Sequence, residues 1–332
     1  MSTFKVEVVV VGPIEKHANA DSLGITMVGE YPVIVRLGDT VPGSVCAYVP
    51  IDSVVPPTGA TAFLADPSRP NKPIRIKAKR LRGVFSMGLL LPAPAGAIPG
   101  DDVAELLGIV KYEEPESPAI TRGEDAYAPV QVPVFDVEGW RGHSRMLEEG
   151  ETVEMSEKVH GCNARYLVHE GVLHCASRTR FKAQNDDSVW WRAAKHHDLA
   201  TKLAGTEGFA VYGEVYGQVQ DLKYGVTKGE SLFVAFDVLR ITTREWLPVD
   251  EARAFCVERG IPFVPAVYRG PYTRDAVLAH TSGPTVVGNG AHFREGVVIR
   301  PINERTLLRG GRAILKSVSE EYLLRKGGTE HQ

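Results

Sequence analysis

Residues 156–165 read SEKVHGCNAR, and this stretch carries the clearest functional signal in the chain. Lys158 ends a run in which apolar and polar residues alternate, the pattern of a half-buried β-strand. Gly161 follows three residues later, with His160 and Asn163 on either side of it. A lysine at the end of a strand is ordinarily a solvated surface charge. The other interpretation is that Lys158 is a nucleophile, and the residues that follow favour it.

Lys-x-x-Gly alone is weak evidence, because a chain of this length contains such a match by chance. The signal lies in charged, acidic and aromatic residues that follow Lys158 at the ends of, or within, predicted strands. These are Arg178 after a predicted hairpin, Glu214 in VYGEVYG, Phe236 in LFVAFDV, Glu295 in REGVVIRP and Lys316 in AILKSVS.

Together these residues supply what adenylyl transfer through a lysine requires. A lysine that attacks phosphorus must be neutral, and at a pKa of ~10.4 only about one in 2,500 is neutral at pH 7. A nearby cation lowers that pKa, and Lys316 or a bound Mg²⁺ can do so. Lys316 and Arg178 can bind a triphosphate. Glu295 and Glu214 offer the hard oxygen ligands that Mg²⁺ prefers.

The adenine ring requires a flat apolar surface, which Phe236 can provide by stacking. Gly161 would let the backbone approach the nucleotide closely. Each residue also has a simpler explanation. The two glutamates could be structural carboxylates paired with an arginine such as Arg300, Phe236 could be a core residue, and Arg178 a surface charge.

The composition sets broad limits on the protein class. The chain has 332 residues, enough for two domains or one large one, and 43% of them are apolar, which can fill a real core. A formal net charge of −3 neither indicates nor excludes a nucleic-acid partner. The four cysteines lack metal-finger spacing and are interpreted as reduced thiols. With no secretory signal and no apolar run of membrane-spanning length, a cytoplasmic protein is expected.

The pattern of elements predicts two domains. Short strands bounded by Gly or Pro predict a small closed β-barrel over 1–112, with its first helix at 101–108. An acidic, proline-containing segment over 113–133 is interpreted as a linker. Over 134–332 strands dominate without a βαβα rhythm, which indicates an α+β domain with antiparallel sheets. Amphipathic spacing predicts one of its helices over 185–205.

Residues 69–82, RPNKPIRIKAKRLR, contain seven basic residues and no acidic one. Alternation places Arg75, Lys77 and Lys79 on one face of a strand, and the phase slips at Arg80, where a bulge or strand end is expected. An edge strand protected by lysines would look similar. Because unneutralised like charges repel one another, we interpret the segment as a phosphate-contacting strip. The residues of this basic strip are Arg75, Lys77, Lys79, Arg80 and Arg82.

On these motifs the chain resembles the covalent nucleotidyltransferase superfamily of polynucleotide ligases and mRNA capping enzymes. KVHGCN resembles the Lys-x-His-Gly-x-Asn motif of RNA ligases, and not the Lys-x-Asp-Gly motif of DNA ligases and capping enzymes. The chain is similar to the Deinococcus-type RNA ligases, in which an OB-fold domain precedes the ligase domain. The similarity includes HANADSL (17–23), RLRGVFSMGLLLP (80–92), VFDVEGWRGH (134–143) and GIPFVPAVYRGPY (260–272).

The resemblance implies an all-β OB-fold barrel followed by an α+β nucleotidyltransferase domain with antiparallel sheets, an ATP-grasp-like ligase core. Lys158 would attack the ATP α-phosphate to give lysyl-AMP. AMP would pass to a 5′-phosphate end, and a 3′-hydroxyl would then attack and release it. The implied cofactors are ATP and Mg²⁺ or Mn²⁺. The implied partner is RNA or a nicked RNA-containing duplex. The protein is expected to be a monomer and to have no membrane partner.

The resemblance also assigns roles to individual residues. His160 and Asn163 serve the later, nucleic-acid steps, and Glu214 lies near the ribose. Phe236 stacks on adenine, and Glu295 is linked to the metal.

Lys316 corresponds to the second lysine of the family's last motif. The first lysine of that motif is replaced here by Ile314, so the resemblance leaves its work to Lys316 with Arg312. Cys162 stands where threonine is common, a change that we expect to be chemically neutral.

Two other functions remain open at this stage. A GTP-using capping-type enzyme would share the lysine chemistry, but His160 and the leading OB domain argue against it. A non-catalytic nucleic-acid-binding protein is the second, because HANADSL resembles a segment of tRNA-binding OB domains. The combined presence of Lys158, Glu214, Glu295 and Lys316 argues against that one.

Overall fold

The computed structural model describes residues 4–113, 125–307 and 311–326. They form two compact units, the first comprising residues up to 113 together with 140–144, and the second the rest of the chain. Part of the predicted linker, 114–124, lies outside the described residues. The predicted domain boundaries remain a prediction.

The first unit consists of short strands joined by tight turns, with every strand pair antiparallel. The strand orders are β1-β5-β10, β11-β6-β7, β2-β3-β4 and β8-β9. The strands are β1 (Glu7–Val10), β2 (Glu15–Lys16), β3 (Leu23–Val28), β4 (Tyr31–Arg36), β5 (Val45–Val49), β6 (Ser53–Val55), β7 (Ile74–Arg75), β8 (Lys79–Leu81), β9 (Val84–Ser86), β10 (Leu89–Pro92) and β11 (Val110–Lys111). The unit also contains helix α1 (Trp140–His143) and a 3-10 helix at Gly59–Leu64.

Alternating valines build the core of this unit, because Val6, Val8, Ala47 and Val49 point inward from paired strands. The prediction of a helix over 101–108 is wrong. That segment forms turns, because the Asp102 carboxylate accepts bonds from the backbone N–H groups of Val6 and Ala104 and holds it against β1.

The second unit contains two sheets, of seven and five strands. The orders are β12-β17-β16-β15-β18-β19-β20 and β13-β23-β22-β14-β21, antiparallel except for the β13–β23 pair. The strands are β12 (Asp125–Ala126), β13 (Glu138–Gly139), β14 (Thr152–Lys158), β15 (Cys162–His169), β16 (Val172–Ala176), β17 (Phe181–Lys182), β18 (Phe209–Gly217), β19 (Ser231–Arg240), β20 (Glu245–Trp246), β21 (Ala266–Pro271), β22 (Gly296–Pro301) and β23 (Leu315–Val318). The predicted antiparallel α+β class is confirmed.

Among its described residues this unit has five short helices: α2 (Val189–His196), α3 (Leu199–Lys202), α4 (Val249–Val257), α5 (Arg274–Thr281) and α6 (Glu320–Leu324). A further 3-10 helix spans Ser144–Met146. The single helix predicted over 185–205 is two helices, because Asp198 adopts a left-handed conformation (φ 50°) that interrupts the helix.

The seven-stranded sheet is buried on both faces, which explains why β18 and β19 read as continuous apolar runs. One face packs on α2 and α4 through residues such as Trp190 and Cys256. The other face is covered by residues including Val132 and Phe135. Two-sided burial makes these strands rigid, which fixes the residues they carry.

All four cysteines are buried and none forms a disulfide. Across the ranges that the structure describes, no helix combines the length and apolar character needed to cross a membrane.

Candidate active site

Lys158 is positioned by the pairing of two strands. It is the last residue of β14, and the antiparallel register places it opposite Gly296, the first residue of β22. Glu295 immediately precedes β22, so its carboxylate lies beside the lysine. Lys158 Nζ donates to Glu295 Oε1 over 2.6 Å. The lysine remains 28% exposed, so a ligand can reach its amine.

His160 is buried beside this pair and contacts protein groups through both ring nitrogens. Its Nε2 lies 2.7 Å from Asp221 Oδ1, and its Nδ1 lies 2.9 Å from the hydroxyl of Tyr322. Nδ1 is also 3.8 Å from Glu295 Oε2. The ring therefore borders the carboxylate that pairs with Lys158.

The segment between β18 and β19 holds the backbone around His160. The His160 N–H donates to Tyr224 Oη over 2.6 Å, and Gln220 donates to the Gly161 carbonyl oxygen. A Cβ on Gly161 would collide with the carbonyl oxygen of Val215. The structure thus gives Gly161 a packing reason for lacking a side chain, in addition to the predicted close approach to a nucleotide.

Glu214 and Asn163 face each other across β18 and β15. Part of the Glu214 side chain reaches solvent, but the dense protein around it raises its pKa to about 8. Burial is the main cause, Lys158 opposes it, and the negative charge of Glu295 adds to it. Glu214 is therefore mostly protonated at neutral pH in the nucleotide-free protein. Asn163 Oδ1 is buried and has no hydrogen-bond partner among the described residues.

The raised pKa of Glu214 predicts a pH-dependent stability difference. Between pH 4.5 and about 8 the folded protein retains a proton that the unfolded chain releases, so Glu214 lowers stability progressively as pH rises through this window. Glu214→Gln removes this titration. The melting temperature of the nucleotide-free variant minus that of wild type should increase by at least about 2 °C from pH 5 to pH 8. A difference independent of pH would contradict the assignment.

Lys316 belongs to the same charged cluster. Its pKa is lowered from the ordinary value, first by burial and then by the positive charge of Lys158. Glu295, Asp136 and Arg178 also interact with it electrostatically. Arg178 forms a 3.1 Å ion pair with Asp136, so it is not an isolated surface charge.

Phe236 occupies an irregular position in β19. The register with β18 shifts there: Tyr212 pairs with Asp237 and Gly213 pairs with Ala235, which leaves Phe236 as the extra residue of a β-bulge. Bulges redirect a side chain relative to its neighbours. The Phe236 ring is partly exposed and lies 4.6 Å from the Phe135 ring, between centroids.

Arg312 is not part of the Lys158 cluster as the structure describes it. It donates to both Glu304 oxygens and to Asp237, within a buried ion cluster that also includes Arg300. Arg300 therefore pairs with Asp237, and not with Glu214 or Glu295 as the simpler explanation suggested. Because Arg312 pairs with Glu304 and Asp237, we expect Lys316 to supply the positive charge of this motif near Lys158.

The two departures from the family motif are both buried. Ile314 is a core residue. The Cys162 thiol lies in the apolar core, and burial raises its pKa well above the ordinary value, so it stays protonated. A protonated, enclosed thiol is a poor nucleophile, in keeping with the expected neutrality of this substitution.

The basic strip lies in the first unit as two short strands, β7 and β8, rather than one. Lys77 and Lys79 are exposed while Ile76 and Ala78 between them are buried, as alternation predicts. Arg75 differs from the expectation, because Asp52 neutralises it.

The Arg75 guanidinium donates to Asp52 over 2.7 Å and stacks over the Tyr112 ring. Arg82 donates to the Asn19 carbonyl oxygen in a turn, and Arg80 is exposed. Of the basic strip, Lys77 and Lys79 are therefore the residues that we expect to offer positive charge to a ligand.

The donor set of the site fits a divalent cation that also binds phosphates. Glu295 Oε2 is buried without a hydrogen-bond partner among the described residues, an arrangement that suits a cation. No group of three or more His, Cys, Asp or Glu side chains in residues 4–113, 125–307 and 311–326 could hold a metal by itself. Mg²⁺ characteristically uses one or two carboxylates and completes its shell with water and substrate phosphates.

Several residues of this site carry no sequence motif that we recognised. Asp221 and Tyr224 lie in a segment of irregular structure, and Tyr322 and Arg325 lie in and after α6. A buried aspartate or tyrosine cannot be told from an exposed one without the tertiary structure. The nearest signal is position, since each lies shortly after a predicted strand that carries a motif residue.

Fold and charged site together define a class. A lysine paired with a glutamate beside a second lysine, on the antiparallel sheets of an α+β domain, is the arrangement of a covalent nucleotidyltransferase. The RNA ligase family model matches residues 151–318, just over half of the chain, and an OB-fold domain model matches residues 5–93. The chain belongs to the RNA ligase family, with an N-terminal OB-fold domain.

Solved structures support the fold over the full chain. The Naegleria gruberi RNA ligase with PPi matches with a TM-score of 0.78 and 23% identity, covering 97% of this chain and 98% of that one. A lysine-to-methionine variant of that enzyme with AMP and Mn matches with a TM-score of 0.80 and 23% identity, covering 96% and 97%. No curated protein sequence matches the chain significantly.

Proposed function

We propose that this protein is an ATP-dependent RNA ligase that joins 3′-hydroxyl and 5′-phosphate ends at nicks, through lysyl-AMP and A-p-p-RNA intermediates. The observation that carries the proposal is the geometry at Lys158. Its amine lies 2.6 Å from a buried carboxylate and is coupled electrostatically to a second lysine, the partly buried Lys316. The Naegleria gruberi enzyme, which has the same fold, has been solved with ATP and Mn in a variant form.

In the first step, the Lys158 amine attacks the α-phosphorus of ATP. An N–P bond forms, the bond from the α-phosphorus to the bridging oxygen breaks, and pyrophosphate leaves. Lys158 must lose a proton, and Glu295 Oε1, 2.6 Å away, can accept it. Repulsion between Lys158 and Lys316 favours this loss. Lys316 and Arg178 stabilise the negative charge of the phosphates.

The nucleoside is bound by the strands that flank the lysine. Glu214 can hydrogen-bond a ribose hydroxyl as a donor when protonated or as an acceptor when ionised, and the partly exposed ring of Phe236 offers a stacking surface for adenine. Glu295 and Glu214 would hold Mg²⁺ or Mn²⁺, which neutralises phosphate charge when bound. Cation binding would favour ionisation of Glu214.

In the later steps, a 5′-phosphate oxygen attacks the lysyl-AMP phosphorus and displaces Lys158. A 3′-hydroxyl oxygen then attacks the 5′-phosphate and displaces AMP. Asn163, whose Oδ1 has no hydrogen-bond partner among the described residues, would contact these ends directly. His160, whose two ring nitrogens both contact protein groups, would act on them through the neighbouring Glu295.

The direct test is covalent labelling. Incubation of purified protein with α-labelled ATP and a divalent cation should leave label on the denatured chain, and α-labelled GTP should not. Label from GTP would indicate a capping-type enzyme. No label from either, from protein shown by mass to carry no AMP, would indicate a nucleic-acid-binding protein without this activity.

We also propose that Lys77 and Lys79 contact the phosphate backbone. Replacement of both by glutamate should weaken binding to a nicked RNA duplex. It should also reduce the slope of log K against log salt by about 1.5, because each lost phosphate contact removes roughly 0.7–0.9. AMP attachment to the protein should be unchanged. Binding measured between 50 and 200 mM salt tests this.

A matched control places the same charge change elsewhere in the first unit. Lys5→Glu with Lys111→Glu alters two exposed basic residues outside the strip. Equal slopes for the two double variants would count against a specific contact. Arg75→Glu is unsuitable, because it would leave Asp52 facing a second carboxylate.

A further inference from the structure

The imidazole of His160 is fixed by groups that no motif identifies. Asp221 is paired with Arg325, and an ionised carboxylate can only accept hydrogen bonds, so the 2.7 Å contact assigns a proton to Nε2 of His160. At Nδ1 the ring either accepts from the Tyr322 hydroxyl when neutral or donates to it when charged. Both arrangements hold the ring in one orientation.

The two anchors of His160 are themselves joined. Arg325 donates through Nε to Asp221 Oδ2 over 2.9 Å and through a terminal nitrogen to the Tyr322 carbonyl oxygen over 2.7 Å. Its guanidinium also lies 3.4 Å from the centroid of the Tyr322 ring. Asp221 and Tyr322 are therefore cross-linked by an arginine that contacts both.

The N-terminal end of helix α6 is also hydrogen-bonded to the residues just before β22, which include Glu295. The Ser319 N–H donates to the Glu295 carbonyl oxygen over 2.8 Å, and its hydroxyl donates to the Arg294 carbonyl oxygen over 2.9 Å. Tyr322, one turn further along, reaches His160 from there. The same short element thus fixes both the histidine and the glutamate beside Lys158.

We propose that Tyr322 and Asp221 are positioning residues for the nucleotidyl-transfer site, acting through His160 on the Glu295–Lys158 pair. The proposal rests on the proposed ligase function. The 3.8 Å approach of His160 Nδ1 to Glu295 Oε2 is the contact through which the ring orientation reaches the reacting amine. Loss of either anchor frees the ring to rotate away from the carboxylate.

The first experiment is independent of activity. Histidine-selective ¹⁵N NMR of the whole chain, with the His160 signals assigned by His160→Ala, reports the protonation of each ring nitrogen. Tyr322→Phe should change the Nδ1 signal, and Asp221→Asn should change the Nε2 signal. His160 signals unaffected by both substitutions would overturn the proposal, even if the protein proves not to be a ligase.

The second experiment is a double-mutant cycle on AMP attachment. Tyr322→Phe should lower kcat about 10-fold and leave KM for ATP within about 2-fold. In a His160→Ala background the same substitution should change kcat less than about 2-fold, because its effect passes through the ring. Equal effects in both backgrounds would overturn the positioning role.

Tyr166→Phe is the matched control for losing a buried tyrosine hydroxyl. Tyr166 is fully buried and donates to the Trp190 carbonyl oxygen over 2.7 Å, in the core on the helix-covered face of the sheet. Tyr166→Phe should lower the stability of the protein while leaving kcat and the His160 signals unchanged. If it reproduced the effects of Tyr322→Phe, those effects would reflect general destabilisation.

Discussion

Lys158→Ala should abolish AMP attachment, lowering the label on the denatured chain more than ~10³-fold relative to wild type. The nucleophilic nitrogen is lost, and no other residue can take its place. Lys316, on β23, is a second lysine of this site, and the proposed reaction assigns it to binding the phosphates rather than to attacking them. Gel-based quantification of α-labelled ATP incorporation measures the effect.

Two controls separate chemistry from folding. Lys158→Arg keeps a positive charge opposite Glu295 but presents a guanidinium that stays protonated, so it should also be inactive. Lys195→Ala changes a highly exposed lysine on α2 and should retain full labelling. Persistent label on Lys158→Ala would reject Lys158 as the nucleophile.

The sequence predicted the residues of the site better than their environments. Lys158, Glu214, Glu295 and Lys316 were grouped from the sequence by the chemistry that adenylyl transfer requires and by the resemblance to RNA ligases, not by a rule of strand geometry. The structure places these four in one electrostatic cluster. What each residue contributes to catalysis remains a proposal.

Other features depend on tertiary structure and could not be read from local patterns. Arg75 looked unneutralised because Asp52 lies 23 residues earlier in the chain. The bulge at Phe236 depends on how β18 and β19 pair, whereas the sequence shows only two apolar runs. Tyr322 meets His160 across 162 residues, and no spacing rule connects such distant positions.

Glu295→Gln should lower the rate of AMP attachment by about 10²–10⁴-fold, the range expected when a group that accepts a proton at the reacting atom is lost. The substitution keeps the shape of the side chain but removes its charge. Lys158 would lose its proton acceptor, and the buried oxygen suited to a cation would become part of a neutral amide. Single-turnover labelling over a Mn²⁺ titration measures both effects.

Glu157→Gln is the matched control, because Glu157 is the residue next to Lys158 and is equally buried. Its carboxylate accepts from Thr285 Oγ1 and the Val286 N–H, each over 2.6 Å, on the other face of the strand. Burial raises the pKa of Glu157, so a neutral amide removes the cost of burying its charge and loses one of the two hydrogen bonds. Labelling should stay within about 3-fold of wild type.

If the two glutamine variants lost activity equally, the effect would come from general disruption of β14. A loss confined to Glu295→Gln, with a higher Mn²⁺ requirement, would place the carboxylate at both the amine and the cation.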